Sequence, residues 1–283
     1  MGDTSVEGAG SRRKALVLGS SGRYNEREIP FPARRGGWEV SMAWFRKIRE
    51  AQRPFCTALV AAGGSSKRMG TGRSKLLERL DGIPVLAYTL QALERAETVN
   101  AIVIAAREED ILPFSELCKT YGVTKPVKIV LGGRDREESV YRAALEADPR
   151  TEFLAVQDGA RPLVMPELID AVVTAAFRCN AAAPAVPVRD TIKRREGDRV
   201  TETVDRASLA AVQTPQVFEA SLLKAALQSA MEAGAALTDD CSAVERLGKI
   251  VYLVDGDPEN LKITTPLDLV LAEAILEDRR RRG

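Results

Sequence analysis

The stretch from Thr57 to Lys75 reads TALVAAGGSSKRMGTGRSK. Its first part, Ala58 to Ala62, is a short apolar run of the length expected for a buried strand. The pair Gly63-Gly64 then lets the backbone approach a ligand closely, and exposed N–H groups in such a turn favour anions. Lys67 and Arg68 add positive charge just beyond. The stretch therefore predicts either a loop that holds phosphate or an ordinary glycine-rich turn with solvated basic residues.

The spacing of this loop differs from that of the two best-known phosphate loops. A dinucleotide fingerprint needs G-x-G-x-x-G and a P-loop needs G-x-x-x-x-G-K-[ST], and neither fits here. The loop instead reads G-G-x-x-x-R-M from Gly63 to Met69, and Lys75 follows Arg68 at a distance of seven residues. This pattern resembles the opening of sugar-phosphate nucleotidyltransferases and disfavours a dehydrogenase.

Composition narrows the class of protein. The chain has 283 residues, 45% of them hydrophobic, and a formal net charge of +1, so we expect a globular protein without a basic nucleic-acid surface. No apolar run approaches the ~20 residues that cross a bilayer. The four cysteines form no C-x-x-C pair, which argues against a zinc knuckle or a redox dithiol and favours reduced thiols in a cytoplasmic compartment.

The sequence contains no histidine. Ser-His-Asp and Cys-His catalysis, imidazole acid/base chemistry and histidine-ligated zinc are therefore excluded. A reaction must use arginine, lysine, carboxylates, hydroxyls, backbone N–H groups or a hard metal ion. Phosphoryl and nucleotidyl transfer fit this restriction because they depend mainly on positioning and on stabilisation of charge.

Beyond residue 54, apolar strands alternate with amphipathic helices. This alternation predicts an α/β fold with a Rossmann-like, mostly parallel twisted sheet and helices on both faces. The predicted strands are 58–62, 101–105, 127–131, 153–157, 250–254 and a short piece at 260–263. The predicted helices are 84–96, 111–121, 137–147, 166–177, 219–233, one that follows 238–240, and a last one that opens at 265–268.

Candidate site residues follow several of these strands. Ligands bind beyond the carboxyl ends of the strands in such sheets. Asp158 ends one strand, where it is suited to hold Mg²⁺ with phosphate oxygens, or else to serve in a turn or helix cap. Arg161 follows it and could pair with phosphate or with a neighbouring carboxylate. Residues 132–139 follow another strand end.

The segment from Asp190 to Arg206 interrupts the alternation. It is strongly charged and edged by strand-like pieces at 185–188 and 200–204. The pattern predicts a protruding β-arm at about 188–210. Because an isolated two-stranded hairpin is marginally stable, one interpretation is that the arm binds a partner subunit. The alternative is that the arm is a solvated surface excursion.

Residues 1–53 differ in composition from residues 54–283. They hold eleven lysines and arginines against six acids and only one short apolar run. We expect an N-terminal extension that is either a disordered tail or the product of an over-extended gene start, with Met42 a plausible alternative start. A plastid transit peptide is disfavoured by the acidic residues.

Several short motifs in order resemble the 2-C-methyl-D-erythritol 4-phosphate cytidylyltransferase family over about residues 57–276. The motifs are Ala61-Ala62-Gly63-Gly64 with Lys67-Arg68-Met69, Gly132-Gly133 with Ser139-Val140, Asp158-Gly159-Ala160-Arg161-Pro162, Val188-Arg189-Asp190-Thr191-Ile192-Lys193, Val204-Asp205-Arg206, Gln213-Thr214-Pro215-Gln216, Thr238-Asp239-Asp240 and Asn260-Leu261-Lys262-Ile263-Thr264.

The resemblance implies transfer of CMP from CTP to methylerythritol phosphate, with Mg²⁺ or another divalent cation as cofactor. The implied catalytic residues are Arg68, Lys75 and Lys262. The implied nucleotide-binding residues are Ala61, Ala62, Gly63, Gly64, Gly133, Ser139, Asp158 and Gly159. The implied substrate-binding residues are Asp158, Arg161, Thr191, Arg206, Thr214 and Thr238, and Asp158 is the implied metal ligand. The resemblance also implies a homodimer in which the arm of one subunit completes the site of the other.

Two other functions are compatible with parts of this pattern. A ribitol 5-phosphate cytidylyltransferase would share the CTP loop, Asp158 and Lys262, although the piece Val204-Asp205-Arg206 favours methylerythritol phosphate. A CTP-binding regulator without catalysis would be expected to lack Arg68, Lys75, Asp158 or Lys262, and all four are present.

Overall fold

The computed structural model describes residues 12–18, 24–30, 53–64 and 74–282. The chain divides into two units, Met1–Gln52 and Arg53–Gly283. In the first unit, β1 (Arg12–Leu18) pairs antiparallel with β2 (Tyr24–Pro30). The role of this N-terminal part stays a prediction. No helix in the described part of the chain is long and apolar enough to cross a membrane.

The second unit contains twelve strands in its described residues. They are β3 (Cys56–Ala61), β4 (Arg79–Leu80), β5 (Ile83–Pro84), β6 (Ala101–Ala106), β7 (Val127–Leu131), β8 (Phe153–Asp158), β9 (Ala181–Pro187), β10 (Ile192–Glu196), β11 (Arg199–Val204), β12 (Ala210–Val212), β13 (Gln216–Glu219) and β14 (Tyr252–Asp255).

The α-helices of this unit are α1 (Val85–Arg95), α2 (Ile111–Thr120), α3 (Arg136–Leu145), α4 (Pro166–Cys179), α5 (Ala220–Glu232), α6 (Asp240–Arg246) and α7 (Pro266–Arg282). Local signals set several of their ends. Asp135 accepts a hydrogen bond from the N–H of Glu138 at the start of α3, and Asn180 adopts a left-handed conformation, with φ of 64°, at the end of α4.

Eight strands form the main sheet, in the order β12-β9-β13-β8-β3-β6-β7, with β14 paired to β9. Strands β8, β3, β6 and β7 are mutually parallel, as is β14 with β9, whereas β13 and β12 run antiparallel to their neighbours. The predicted α/β fold with a mostly parallel sheet and helices on both faces is therefore confirmed.

Alternation along β3 divides the core into two layers. Ala58 and Val60 face the cluster that α1, α2, α4 and α7 cover, whereas Leu59 faces the cluster under α3, α5 and α6. Because both faces of the strand are buried, its sequence reads as a continuous apolar run. The run that predicted a buried strand thus lies at the centre of the sheet.

The predicted strand at 260–263 is wrong. This segment has no regular secondary structure. The N–H of Ile263 donates instead to the carbonyl of Ala160, and the side chain of Asn260 donates to the carbonyl of Thr214. The segment is thus held by single contacts with two loops. Its apolar sequence resembles that of a strand, but its backbone does not pair as one.

The predicted charged excursion contains a separate two-stranded hairpin. Strands β10 and β11 pair antiparallel with each other outside the main sheet, and nearly every residue along both is exposed. Its protrusion as an arm and its contact with a second subunit stay predictions.

Candidate active site at the carboxyl ends of β3 and β8

The candidate site lies at the point in the sheet where the order of successive strands reverses direction. From β3 the chain adds β6 and β7 on one side and then returns to place β8 on the other side of β3. Such a reversal opens a crevice at the carboxyl ends of the strands, where ligands bind in open α/β sheets. Ala61 and Asp158 are register partners at this end, so the two predicted segments adjoin.

Asp158 is buried and surrounded by three cations. Its Oδ2 lies 2.9 Å from Nζ of Lys262 and 3.4 Å from Nε of Arg161. Its Oδ1 lies 3.7 Å from Nη2 of Arg136. The three cations come from segments far apart in sequence, so the fold assembles them around one carboxylate.

These charges set the ionisation of Asp158. Burial by itself would raise the pKa of Asp158, but the positive charges of Lys262, Arg136 and Arg161 outweigh burial and lower it below its ordinary value. The group is therefore a carboxylate at neutral pH. A ligand can contact an oxygen of Asp158 only where these three cations leave that oxygen uncovered.

Asp158 is also held through its backbone. Its N–H donates to Oγ1 of Thr214 at 3.1 Å, and the carbonyl of Thr214 accepts from Nδ2 of Asn260 at 3.1 Å. The carbonyl of Asn260 accepts in turn from Nη1 of Arg161 at 2.6 Å. Thr214, which was predicted to contact substrate, is buried and supports the end of β8. Arg161 was predicted to pair either with phosphate or with a neighbouring carboxylate, and in the structure it pairs with the carboxylate of Asp158.

Lys75 lies beside the segment that carries Lys262. Its Nζ donates to the carbonyl of Ile263 at 2.8 Å. The two predicted catalytic lysines are thus attached to the same short stretch of backbone. Lys67 and Arg68 lie outside the described residues, so their predicted phosphate contacts stay predictions.

The glycine loop and residues 132–139 meet at the neighbouring strand ends. The N–H of Gly133 donates to Oγ of Ser139 at 2.9 Å, and this hydroxyl donates to the carbonyl of Asp135 at 2.6 Å. A Cβ added to Gly63 would lie 3.6 Å from the same hydroxyl. The structure therefore brings together the loop and Ser139, which were predicted to bind the nucleotide.

Two of the predicted glycines lie close to neighbouring side chains. A Cβ on Gly159 would lie 3.2 Å from the side chain of Leu86 and 3.3 Å from that of Val60, and one on Gly133 would lie 2.4 Å from the side chain of Glu138. All three distances are shorter than ordinary van der Waals contact. A side chain at Gly133 would displace Glu138, whereas one at Gly159 would need Leu86 and Val60 to shift by a few tenths of an ångström.

Thr191 and Arg206 lie at the base of the hairpin. They line an open pocket of about 230 Å³ together with Thr203, Val204 and Asp205. Arg206 donates to the carbonyl of Arg189. In the described part of the chain, no hydrogen bond or ion pair joins this pocket to Asp158. Thr238 is exposed just before α6.

Sequence reasoning missed Arg136 and Asp240 as members of the site. Nη2 of Arg136 lies 2.7 Å from Oδ2 of Asp240, and the side chain of Asp240 is fully buried. Arg136 lies within the candidate site segment 132–139, and Asp240 lies within the motif Thr238-Asp239-Asp240, but neither side chain was itself predicted to act there. Their partnership spans 104 positions, and no local spacing signals such a contact.

The donors present fit a divalent cation only if phosphate supplies further oxygens. No group of three or more carboxylates or cysteines that could hold a metal occurs in the described residues. Asp158 offers one carboxylate, and Mg²⁺ is usually bound by one or two carboxylates together with substrate phosphates and water. The site therefore fits a cation that arrives with a nucleotide.

The family model described as IspD, 2-C-methyl-D-erythritol 4-phosphate cytidylyltransferase, matches residues 56–278. The chain belongs to the 2-C-methyl-D-erythritol 4-phosphate cytidylyltransferase family. The match begins at the first residue of β3 and ends within α7, so it covers the whole main sheet and the hairpin.

Curated relatives agree with this assignment. The chain is 44% identical over 225 residues to the 2-C-methyl-D-erythritol 4-phosphate cytidylyltransferase of Bacillus cytotoxicus, covering 80% of this chain and 99% of the relative. It is also 44% identical over 226 residues to the cytidylyltransferase of Halalkalibacterium halodurans, with the same coverage.

Solved structures share the fold. The 4-diphosphocytidyl-2C-methyl-D-erythritol synthase of Anaerococcus prevotii matches with a TM-score of 0.71 at 28% identity, covering 79% of this chain and 96% of that chain. The cytidylyltransferase of Thermus thermophilus matches with a TM-score of 0.63 at 32% identity, covering 78% and 98%.

Thr214→Val should destabilise the fold. Valine keeps the shape but leaves the buried N–H of Asp158 without its acceptor, a loss that costs about 1–3 kcal/mol. We expect the free energy of unfolding, measured by urea denaturation, to fall by about this amount. Thr214→Ser is the matched control because it keeps the hydroxyl, and it should retain most of the stability. A Thr214→Val variant as stable as the wild type would show that this hydrogen bond contributes nothing measurable, and a loss confined to Thr214→Ser would show that the methyl packing matters instead.

Proposed function

We propose that the chain transfers CMP from CTP to 2-C-methyl-D-erythritol 4-phosphate, forming 4-diphosphocytidyl-2-C-methyl-D-erythritol and pyrophosphate for isoprenoid precursor synthesis by the non-mevalonate route. The match to the family over residues 56–278 carries this conclusion. The cluster of Asp158, Lys262 and Lys75 at the carboxyl ends of the strands supports it, because the reaction brings two polyanions together.

The reaction is a substitution at phosphorus. A phosphate oxygen of methylerythritol phosphate attacks the α-phosphorus of CTP, and the bond from that phosphorus to the oxygen bridging the α- and β-phosphates breaks to release pyrophosphate. A phosphate monoester has a second pKa of about 6 and is largely a dianion at neutral pH. The nucleophile thus needs no general base, which agrees with a chain that lacks histidine.

The cationic side chains are assigned to stabilise the charge that develops during transfer. We assign Arg68 and Lys75 to the CTP phosphates and the pentavalent transition state, and Lys262 to the α-phosphate. The carbonyl of Ile263 holds Nζ of Lys75, and this contact supports a preorganised position for the amine. Preorganised charge is effective because it needs no rearrangement during the reaction.

The nucleotide-binding assignment rests on the strand ends of β3, β7 and β8. We assign the backbone of Ala61–Gly64 and the segment of Gly133 and Ser139 to the nucleotide, with Gly159 allowing close packing beneath it. The short contacts that a Cβ would make at Gly133 and Gly159 support this assignment. We also assign residues to methylerythritol phosphate, and these are Thr191, Arg206 and Thr238. Arg161 and Thr214 are assigned to the same substrate indirectly, because they brace the strand end that carries Asp158.

We assign Mg²⁺ to Asp158 and the nucleotide phosphates. A bound divalent cation supplies neutralisation of phosphate charge. Asp158 contributes a carboxylate to this site, and its lowered pKa supports an ionised ligand. Lys262 and Arg161 contact Oδ2 of this carboxylate, and Asp158 would hold the cation together with the nucleotide phosphates.

We further propose a homodimer in which the hairpin of one subunit completes the site of the other. The hairpin is exposed along both strands, and isolated hairpins gain little stability alone. Thr191 and Arg206 line a pocket made of hairpin residues, and in the proposed dimer this pocket would face the site around Asp158 of the other subunit.

We also propose that the enzyme works in the cytoplasm. All four cysteines are free thiols in the structure, as expected in a reducing compartment.

Pyrophosphate release should occur with CTP, Mg²⁺ and methylerythritol 4-phosphate. The same assay with ribitol 5-phosphate should give no release above background, because the hairpin residues are assigned to the branched substrate. Coupled detection of pyrophosphate measures both rates in parallel. Release with ribitol phosphate alone would reassign Thr191, Arg206 and Thr238, and release with neither, despite binding of CTP, would favour a regulator.

Lys75→Ala should lower turnover by at least about a hundredfold, because it removes charge from the transition state. CTP affinity should change much less, since other cations still contact the phosphates. Steady-state kinetics and equilibrium CTP binding measure the two effects separately. Lys249→Ala, which removes an exposed lysine after α6, is the control and should be neutral. An unchanged turnover in Lys75→Ala would remove this residue from the mechanism.

Mixing two inactive variants tests the shared site. Lys75→Ala and Arg206→Ala should each be nearly inactive as homodimers. In the heterodimer, one site has both substitutions and the other has neither. Randomly mixed subunits should therefore recover about a quarter of wild-type activity, because half of the dimers then hold one intact site of two. No recovery in a mixture that exchanges subunits would show that the hairpin serves its own subunit.

A further inference from the structure

Arg136 lies between two aspartates that compete for it. Its Nη2 is 2.7 Å from Oδ2 of Asp240 and 3.7 Å from Oδ1 of Asp158. The first distance is a charge-assisted hydrogen bond, whereas the second is too long for one. The same nitrogen therefore binds Asp240 and only approaches Asp158.

Asp240 is fixed in its position. It is the first residue of α6, and Oε1 of Gln216 accepts hydrogen bonds from the N–H groups of Asp240 and Cys241 at 3.0 and 3.1 Å. Its side chain is fully buried, and its Oδ1 has no hydrogen-bond partner in the described part of the chain. Arg136 thus supplies the hydrogen bond to this carboxylate, and the buried aspartate in turn holds the guanidinium.

The two oxygens of Asp158 differ in their surroundings. Oδ2 lies 2.9 Å from Lys262 and 3.4 Å from Arg161. Oδ1 faces Arg136 at 3.7 Å. A shift of the guanidinium by about 1 Å would reach the 2.7–2.9 Å of a charge-assisted hydrogen bond and occupy Oδ1 as well.

We propose that Asp240 is a positioning residue that holds Arg136 off Oδ1 of Asp158, so that this oxygen can bind the divalent cation of the nucleotide. The inference rests on the proposed function, since it concerns the cation that enters with CTP. Asp240 acts through Arg136 and contacts no substrate. Burial raises the pKa of Asp240 above its ordinary value, and the charge of Arg136, 2.7 Å from Oδ2, opposes that rise.

Asp240→Asn tests the proposal with little change of shape. Asparagine binds the guanidinium more weakly, so Arg136 should move to Asp158. The Mg²⁺ concentration that gives half-maximal CTP binding should then rise about tenfold, the ratio expected for one lost charged hydrogen bond. Calorimetry of CTP binding over a Mg²⁺ series measures it without the second substrate. Turnover at saturating Mg²⁺ should change much less than this apparent affinity.

Asp170→Asn is the matched control. Asp170 accepts hydrogen bonds from the N–H of Thr98 at 2.8 Å and from its hydroxyl at 2.6 Å. Thr98 precedes β6, so this contact lies at the amino ends of the parallel strands, whereas Asp158 lies at their carboxyl ends. The same chemical change there should lower stability and leave the Mg²⁺ dependence of CTP binding unchanged.

The double variant Arg136→Gln/Asp240→Asn separates positioning from structure. Arg136→Gln alone would leave a buried carboxylate without a cation and is expected to fold poorly. In the double variant neither charge remains, so Oδ1 of Asp158 is free and the Mg²⁺ dependence should return toward that of the wild type. A double variant as impaired as Asp240→Asn would overturn the proposal and show that Arg136 itself contacts the ligand.

A crystal structure of Asp240→Asn gives a readout independent of activity. It should show a guanidinium nitrogen of Arg136 within hydrogen-bond distance of Oδ1 of Asp158. An unmoved guanidinium together with unchanged Mg²⁺ dependence would refute the inference. Wild-type protein that binds CTP with Mg²⁺ but releases no pyrophosphate would instead refute the proposed function and leave this inference standing.

Discussion

The site depends on the burial of one carboxylate. A buried carboxylate without a counter-charge is costly, so the folded chain must bring cations to Asp158. It takes Arg161 from the turn after β8, Lys262 from the segment before α7 and Arg136 from the first turn of α3. The requirement to neutralise Asp158 therefore ties together three parts of the chain that are distant in sequence.

The same requirement prepares the site for phosphates. Cations assembled around a carboxylate are already desolvated and fixed when a polyanion arrives, which is the condition for strong electrostatic stabilisation. Lys262 is the most exposed of the three, at 39% of its side chain, and is the one able to turn toward a ligand. Arg161 is held by the carbonyl of Asn260, so it keeps Asp158 in place.

The periodicity of apolar residues predicted most of the fold, because the buried face of each strand or helix can be recognised from a few consecutive residues. It failed at 260–263, where Ile263 is buried in the core although the segment pairs with no strand. The pairing of Arg136 with Asp240 was also beyond it, since 104 positions separate the two and they meet only because α3, α5 and α6 pack over one core cluster. Sequence motifs indicated which segments form the site, but not which side chains bind each other.

The motif Asp158-Gly159-Ala160-Arg161-Pro162 illustrates this difference. It reads as one ligand-binding unit, yet its members have distinct physical roles. Asp158 carries the charge, and a side chain at Gly159 would crowd Leu86 and Val60. Arg161 is buried and bound within the protein. A motif is thus constrained as strongly by what supports the charged group as by what the group binds, and substitutions at the supporting positions should reach the chemistry only through Asp158.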